Sequence, residues 1–388
     1  MRLQRCLVIL LHCLGIAAAV NQIPLEPKPT ESRNVSVGLF YELEELARIV
    51  DISYCVGLTS FGIVKPFKCL SRCSDFPEFA LVTTWNTGPL LKDSCGYIAL
   101  DHGKQRVIVA FRGTYSIANA VVDLSTVPQE YVPYPGPGDD DSEGDDERVT
   151  HAPRCNNCTV HMGFQSSWQT TRSLILAELK RALFLHPLYK LHLVGHSLGG
   201  AVAALAGLDL VAYGYRPIVT TFGEPRLGNA ALAGYLDDRF GLSRTNATLD
   251  EEGLTYRRVT HVNDPVPLLP LTEWGYSMHA GEIFISKSSL SPDLQDVQLC
   301  VGDEDPSCIA DQDSTLPGHD SPADEKRDLL ASVEHELYDI KQEPWGIPTR
   351  YKLWQLLFAH RDYFWRIGLC TPGGDPTGGG GKYYLDGD

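Results

Sequence analysis

The sequence predicts an α/β fold with a mostly parallel central sheet that is covered by helices on both faces. Segments with strand periodicity alternate along the chain with segments of helical periodicity. The 388 residues are 43% hydrophobic, which is enough for one large domain with a sizeable core. No internal repeat is visible, and the irregular stretches do not separate two cores. We therefore expect a single domain over residues 20–370.

The first predicted elements are a helix and a pair of strands. Apolar side chains recur at helical spacing over residues 37–54: Leu39, Leu43, Leu46, Val50 and Tyr54. Residues 95–113, CGYIALDHGKQRVIVAFRG, predict two strands joined by a turn at residues 101–104.

The later elements alternate more regularly. Residues 163–186 predict a helix with one apolar face, which contains Phe164, Trp168, Ile175, Leu179 and Leu183. YKLHLV (189–194) predicts a short strand that runs directly into Gly195, and residues 198–213 predict the next helix. Three more strands are predicted at residues 217–223, 255–262 and 281–286.

The N-terminus is typical of a signal peptide. MRLQRCLVILLHCLGIAAAV combines two arginines, an apolar run from Leu7 to Leu14 and a small-residue cleavage site after Ala19. The run is shorter than the about 20 residues that span a bilayer. We therefore expect a secreted, extracellular protein without a transmembrane segment. The glycine-rich residues 371–388 predict a disordered tail.

The cysteines and the glycosylation sequons are also typical of a secreted protein. Cys6 and Cys13 lie in the predicted signal peptide, so nine of the 11 cysteines remain. Six of these nine form three pairs of cysteines that are close in sequence. The expected disulfides are Cys69–Cys73, Cys155–Cys158, Cys300–Cys308 and Cys55–Cys370, which leaves Cys95 as a buried free thiol. N-x-S/T sequons predict glycosylation at Asn34, Asn157 and Asn246.

The charge excludes one class of partner. A formal net charge of −16 argues against nucleic acid, which needs a positive surface to displace counterions. The acidic stretches 133–154 and 302–326 predict solvated loops, because their acids lack the spacing of a calcium loop. No cysteine pair has the histidine neighbours of a zinc site, so no metal and no cofactor are expected.

Residues 195–199 carry the strongest functional signal. Gly195-His196-Ser197-Leu198-Gly199 fits G-x-S-x-G, with a predicted strand before it and a predicted helix after it. Such a tight turn exposes a serine hydroxyl as a nucleophile, and that hydroxyl needs a histidine base and an orienting acid.

The acid and the histidine should follow the serine along the chain. Asp264 follows the predicted strand 255–262, where a loop reaches the edge of the sheet. His319 and His335 lie in irregular or surface segments. Spacing alone leaves His279 and His360 open as the base.

The chain resembles the fungal secreted triacylglycerol lipases, the class 3 lipase family with an α/β-hydrolase fold. The resemblance covers most of residues 39–370, in VIVAFRGTYSIANAVVDL (107–124), VHMGFQSSW (160–168), LVGHSLGG (193–200), TFGEPRLGN (221–229), YRRVTHVNDPVPLLP (256–270) and AHRDYFWRIGLC (359–370). It implies that Ser197 is the nucleophile, Asp264 the triad acid and His360 the base. The family usually has alanine or glutamine at the position of Glu224, which raises a second acid as a competitor for Asp264.

The resemblance also implies an oxyanion hole and a lid. Backbone N–H groups of Thr114 and Leu198 are the expected donors to the oxyanion. The implied lid has an aliphatic face that turns toward lipid at an oil surface, and it consists of Ser116, Ile117, Ala118, Asn119, Ala120, Val121 and Val122.

Three functions follow in order of support. The first is a secreted, monomeric triacylglycerol lipase, a serine hydrolase that acts on acylglycerols or related esters at the lipid–water interface through an acyl-enzyme. The second is a feruloyl or other soluble-ester esterase, although such relatives carry a more polar lid. The third is an inactive binding protein, against which the complete set of Ser197, Asp264 and His360 argues.

Overall fold

The computed structural model describes residues 33–57, 62–88, 93–114, 128–133, 154–242, 253–314 and 358–372. The predicted signal peptide, the predicted lid 116–122, the sequon at Asn246 and most of the acidic stretch 133–154 lie outside these residues. The same holds for the tail beyond residue 372. Within the described part of the chain, no helix is both long enough and apolar enough to cross a bilayer.

The described residues alternate between helices and strands along the chain. The helices are α1 (Val37–Ile52), α2 (Met162–Leu185), α3 (Leu198–Ala212), α4 (Ala230–Phe240) and the single turn α5 (Asp311–Ser314). The strands are β1 (Phe79–Asn86), β2 (Cys95–Asp101), β3 (Arg106–Arg112), β4 (Pro128–Glu130), β5 (Thr159–His161), β6 (Lys190–His196), β7 (Ile218–Phe222), β8 (Tyr256–His261), β9 (Glu282–Ile285) and β10 (Val297–Leu299). The predicted elements occur within a few residues of their expected bounds.

One eight-stranded sheet has the order β1-β2-β3-β6-β7-β8-β9-β10. Neighbouring strands from β3 to β9 pair in parallel, whereas β1, β2 and β10 pair in antiparallel fashion. The predicted fold class is therefore confirmed. Because the parallel strands end at the same edge, the residues after β3, β6, β7 and β8 meet there.

Helices cover opposite faces of this sheet. Arg106 and Arg257 point to one face, where they pair with Glu45 and Glu42 of α1. The side chains of Leu193, Val219 and Thr221 point to the other face, where they approach the glycines of α3. The pairing of Leu193 with Val219 across β6 and β7 fixes this shared orientation.

Helix α3 is almost completely buried. All of its residues except Val211 are buried, which explains why its sequence is apolar on every side. Gly207 allows the close approach to the sheet, since a Cβ there would lie 2.9 Å from Val219 Cγ2.

Four disulfide bonds connect Cys55–Cys370, Cys69–Cys73, Cys155–Cys158 and Cys300–Cys308, the same pairs that the sequence suggests. The first joins the 3₁₀ turn that follows α1 to the last described segment, across 315 residues of sequence. Cys95 is a buried free thiol whose Sγ lies 2.9 Å from Asn86 Oδ1.

Candidate active site

Ser197 occupies the sharp turn between β6 and α3. Its backbone has φ 59° and ψ −131°, a conformation that is strained for a residue with a side chain. The turn is held from both sides, because Ser197 N donates to Phe222 O at 2.9 Å and Gly200 N donates to Ser197 O at 2.8 Å. The side chain is thereby presented at the edge where the parallel strands end.

The two glycines of the G-x-S-x-G motif are required because a side chain at either position would collide with the backbone. A Cβ on Gly195 would lie 2.2 Å from the carbonyl oxygen of Gly199. A Cβ on Gly199 would lie 2.4 Å from the carbonyl oxygen of Phe111 in β3. Gly195 therefore allows the turn to fold back on itself, and Gly199 allows it to pack against β3.

His360 and Asp264 form a buried pair at the same edge. Asp264 follows β8, and His360 lies in the last described segment, 96 residues later. His360 Nδ1 lies 3.0 and 2.9 Å from the two carboxylate oxygens of Asp264, and neither side chain is exposed. Since a carboxylate only accepts, Nδ1 carries a proton, and in the neutral ring the lone pair then lies on Nε2.

Asp264 has two further donors. Val266 N donates to Oδ1 at 2.9 Å, and the Tyr363 hydroxyl donates to Oδ2 at 2.5 Å. Burial by itself raises the pKa of Asp264, but the His360 imidazole and these donors outweigh it and hold the pKa below its usual value. Asp264 is therefore a charged acceptor that orients the imidazole.

His196 connects the serine turn to His360. Its Nε2 donates to the carbonyl oxygen of His360 at 2.8 Å, and the two rings stack with centroids 4.7 Å apart. Its Nδ1 accepts from the hydroxyl of Tyr54 at 2.6 Å. Tyr54 in turn bonds the backbone N–H of Gly113, so one chain of contacts joins the ends of β3 and β6 to the His360 segment.

The predicted oxyanion donors lie beside Ser197. A Cβ on Gly113 would lie only 2.8 Å from Ser197 Cβ, which places the turn after β3 against the serine. Thr114 Oγ1 is buried and has no hydrogen-bond partner among the described residues. Leu198 begins α3, where the first N–H groups of a helix lack intrahelical acceptors.

The competing residues Glu224 and His279 bind each other instead. Glu224 Oε1 lies 3.0 Å from His279 Nε2, and both side chains are buried. Glu224 Oε2 accepts from Thr221 at 2.6 Å and from Tyr256 at 2.7 Å. His279 Nδ1 donates to Ala280 O. This second acid–histidine pair is therefore saturated by other partners, and Asp264 is the acid that contacts His360.

The structure thus brings Asp264 and His360 into contact, and places Ser197, Thr114 and Leu198 at the same edge. His360 Nε2 is buried and has no hydrogen-bond partner among the described residues, so the contact between His360 and Ser197 stays a prediction. The sequence prediction missed Tyr54, His196 and Tyr363. Tyr54 was noted as part of the apolar face of the first helix, and His196 and Tyr363 lie in the motifs LVGHSLGG and AHRDYFWRIGLC. Neither kind of pattern indicates which groups these side chains hydrogen-bond. The predicted lid cannot be placed, because residues 116–122 lie outside the described ranges.

A strained serine after a parallel strand, with a buried acid–histidine pair at the same edge, is typical of hydrolases with the α/β-hydrolase fold. Residues 108–274 match the family model described as lipase (class 3). The chain is 53% identical to a secreted mono- and diacylglycerol lipase 2 of Gibberella zeae, over 93% of this chain and 88% of that protein. The chain belongs to the class 3 lipase family.

Other relatives agree. The chain is 50% identical to lipase A of Sodiomyces alcalophilus, over 95% of this chain and 90% of that protein. The crystal structure of Lip2 lipase from Yarrowia lipolytica superposes with a TM-score of 0.68 at 28% identity, and the match covers 88% of this chain and 98% of that one.

Proposed function

We propose that this protein is a secreted lipase that hydrolyses the ester bonds of mono- and diacylglycerols through an acyl-enzyme on Ser197. The contact between His360 and Asp264, beside the strained Ser197 turn, is the observation that carries the mechanism. The substrate class rests on the 53% identical relative, which is named a secreted mono- and diacylglycerol lipase.

Acylation begins when His360 Nε2 takes the proton of the Ser197 hydroxyl. The serine oxygen attacks the ester carbonyl and forms a tetrahedral intermediate with a negatively charged oxygen. His360 then gives the proton to the glycerol oxygen, the carbon–oxygen bond breaks, and the acyl group stays on Ser197. Asp264 orients the imidazole and stabilises its charged form throughout.

The oxyanion requires donors that are already in place. Backbone N–H groups of Thr114 and Leu198 point at the developing charge, and the buried Thr114 hydroxyl adds a third donor. Loss of one such donor typically costs about 3 kcal/mol of transition-state stabilisation. In deacylation, His360 takes a proton from water, and the water oxygen attacks the acyl carbonyl. The bond between the acyl carbon and the Ser197 oxygen then breaks, His360 returns the proton to that oxygen, and the fatty acid leaves.

The lid that controls access to the active site is assigned from the resemblance to class 3 lipases. Residues 116–122 act as the lid, whose aliphatic face turns toward lipid when the protein reaches an oil surface. The exposed Asn34 and Asn157, together with Asn246, carry N-glycans added in the secretory pathway. We propose that the enzyme acts as a monomer.

The proposal is tested with Ser197→Ala and with a panel of substrates. The variant should lose ester hydrolysis while it retains the melting temperature of the wild type, because only a hydroxyl is removed. The wild type should hydrolyse emulsified mono- and diacylglycerols faster than triacylglycerols. Activity that survives in Ser197→Ala contradicts the mechanism, and a preference for dissolved feruloyl or short-chain esters contradicts the lipase assignment.

A further inference from the structure

The segment that contains His360 is not a strand of the central sheet, although His196 at the end of β6 hydrogen-bonds His360 O. Residues 358–372 contain no strand of that sheet, and among the described residues their backbone-to-backbone hydrogen bonds stay within the segment. Arg361 N donates to Phe358 O and Ile367 N donates to Arg361 O, both at 2.9 Å. Because a misplacement of about 1 Å can lower a rate 100-fold, the side-chain contacts that fix this segment matter for the base.

One anchor is Asp51 near the end of α1. Its side chain is completely buried, and its Oδ1 accepts from the backbone N–H of Gly368 at 2.9 Å. The other oxygen accepts from Ser71 Oγ at 3.1 Å and lies 3.8 Å from Arg72 Nε. The first of these contacts ties α1 directly to the His360 segment.

A second anchor is Glu44 on the same helix. This side chain is 3% exposed, and its Oε1 accepts from the indole N–H of Trp365. Arg48 neutralises the carboxylate through two contacts of 2.8 and 2.9 Å. The guanidinium of Arg72 lies over the Trp365 ring, 4.0 Å from its centroid.

These two acids share one face of the helix. Positions seven apart lie two turns apart on the same side of a helix, and the rest of the buried face of α1 is mainly apolar. Buried carboxylates are costly compared with apolar side chains of similar size. Both of them nevertheless bind atoms of one short segment, five and eight residues after His360.

We infer that Glu44 and Asp51 are positioning residues that hold the His360 segment in register with Ser197 and Asp264. This inference rests on the proposed role of His360 as the base. Helix α1 does not touch the ester; it fixes the backbone from which the imidazole projects. The disulfide between Cys55 and Cys370 ties the same two parts of the chain.

The test compares Asp51→Ala with two control variants in the full-length protein. Asp51→Ala removes the acceptor for Gly368 N–H and should lower kcat at least 10-fold, with KM within twofold of the wild type. Asp51→Asn keeps an oxygen at that position and should retain kcat within about threefold. Ser71→Ala removes the other hydrogen bond of Asp51 and should leave kcat unchanged.

A second variant covers the case in which Asp51→Ala does not fold. Trp365→Phe removes the indole N–H that binds Glu44 but keeps an aromatic ring, and should lower kcat several-fold at constant KM. Wild-type kcat in both folded variants, or equal losses in Asp51→Ala and Asp51→Asn, overturns the inference. His360→Ala separates the two proposals: if it retains activity, the proposed mechanism itself fails.

Discussion

His196 shows how much of the site depends on a single buried side chain. Burial disfavours the charged imidazole, and the neighbouring His360 adds to the effect, so the pKa of His196 is lowered to about 3. The ring is therefore neutral at the pH of activity. Its Nε2 proton is committed to His360 O, and its Nδ1 must accept from Tyr54.

Tyr54→Phe tests this arrangement. The change leaves Nδ1 of His196 buried without a donor, which should cost about 1–3 kcal/mol of unfolding free energy and lower kcat several-fold. Tyr97→Phe is the matched control, because Tyr97 is also buried and donates to Ile49 O at 2.8 Å. Urea unfolding and kcat are measured for both variants. If both lose stability and both keep kcat, Tyr54 has no role in positioning the site.

Asp51 gives a prediction about pH. Burial raises the pKa of Asp51 to about 6, against the opposing effects of Gly368 N–H and Arg72. Its folded-state pKa thus exceeds the ordinary value, so this carboxyl makes the fold less stable as pH rises from 4 to beyond 6. Asp51→Asn removes the effect. Relative to the wild type, the variant should gain about 2 kcal/mol of unfolding free energy between pH 4 and pH 8.

The measurement is urea unfolding of both proteins at pH 4, 6 and 8. Other titrating groups cancel in the difference between the two proteins, provided that they lie far from residue 51. A difference that stays constant across this range would show that Asp51 does not titrate as the structure implies.

At the level of helices and strands, the segments with a clear hydrophobic pattern were predictable, including the short strands β7 and β9. Helices α1 and α2 and the buried strands β3, β6 and β8 have clear patterns. Edge strand β1 is half-exposed with mixed composition, and β4, β5 and β10 have three residues each. Helix α4 had a usable signal, since Asn229 caps its start and Gly241 ends it in the left-handed conformation.

The disulfide between Cys55 and Cys370 should stabilise the fold, because it closes a long loop of the chain. Replacing both cysteines with alanine should lower the unfolding free energy by about 3–5 kcal/mol, because the crosslink removes much of the loop-closure entropy from the unfolded chain. The control is the Cys69–Cys73 pair, which spans four residues of sequence compared with 315. Replacing Cys69 and Cys73 with alanine should lower the unfolding free energy by less. Thermal or urea unfolding of the two double variants measures the difference. An equal loss in both variants would contradict this explanation.

At the scale of the whole molecule, the parallel sheet explains why distant residues converge. Ser197 follows β6 and Asp264 follows β8, so their meeting at one edge could be predicted from strand order and chain direction. His360 could not be placed in this way, because it lies in a segment outside the sheet. Only the family resemblance distinguished it from His279. Partners such as Tyr54, Tyr363 and Asp51 depend on tertiary packing that periodicity does not encode.

The most direct test of the central claim is covalent labelling by a serine-directed phosphonate, followed by peptide mapping with mass spectrometry. One phosphonylated residue is expected, Ser197, with loss of hydrolysis in proportion to labelling. His360→Ala should fold normally and label far more slowly, because its serine lacks a base. A label on another residue, or complete inhibition with Ser197 unmodified, would contradict the account.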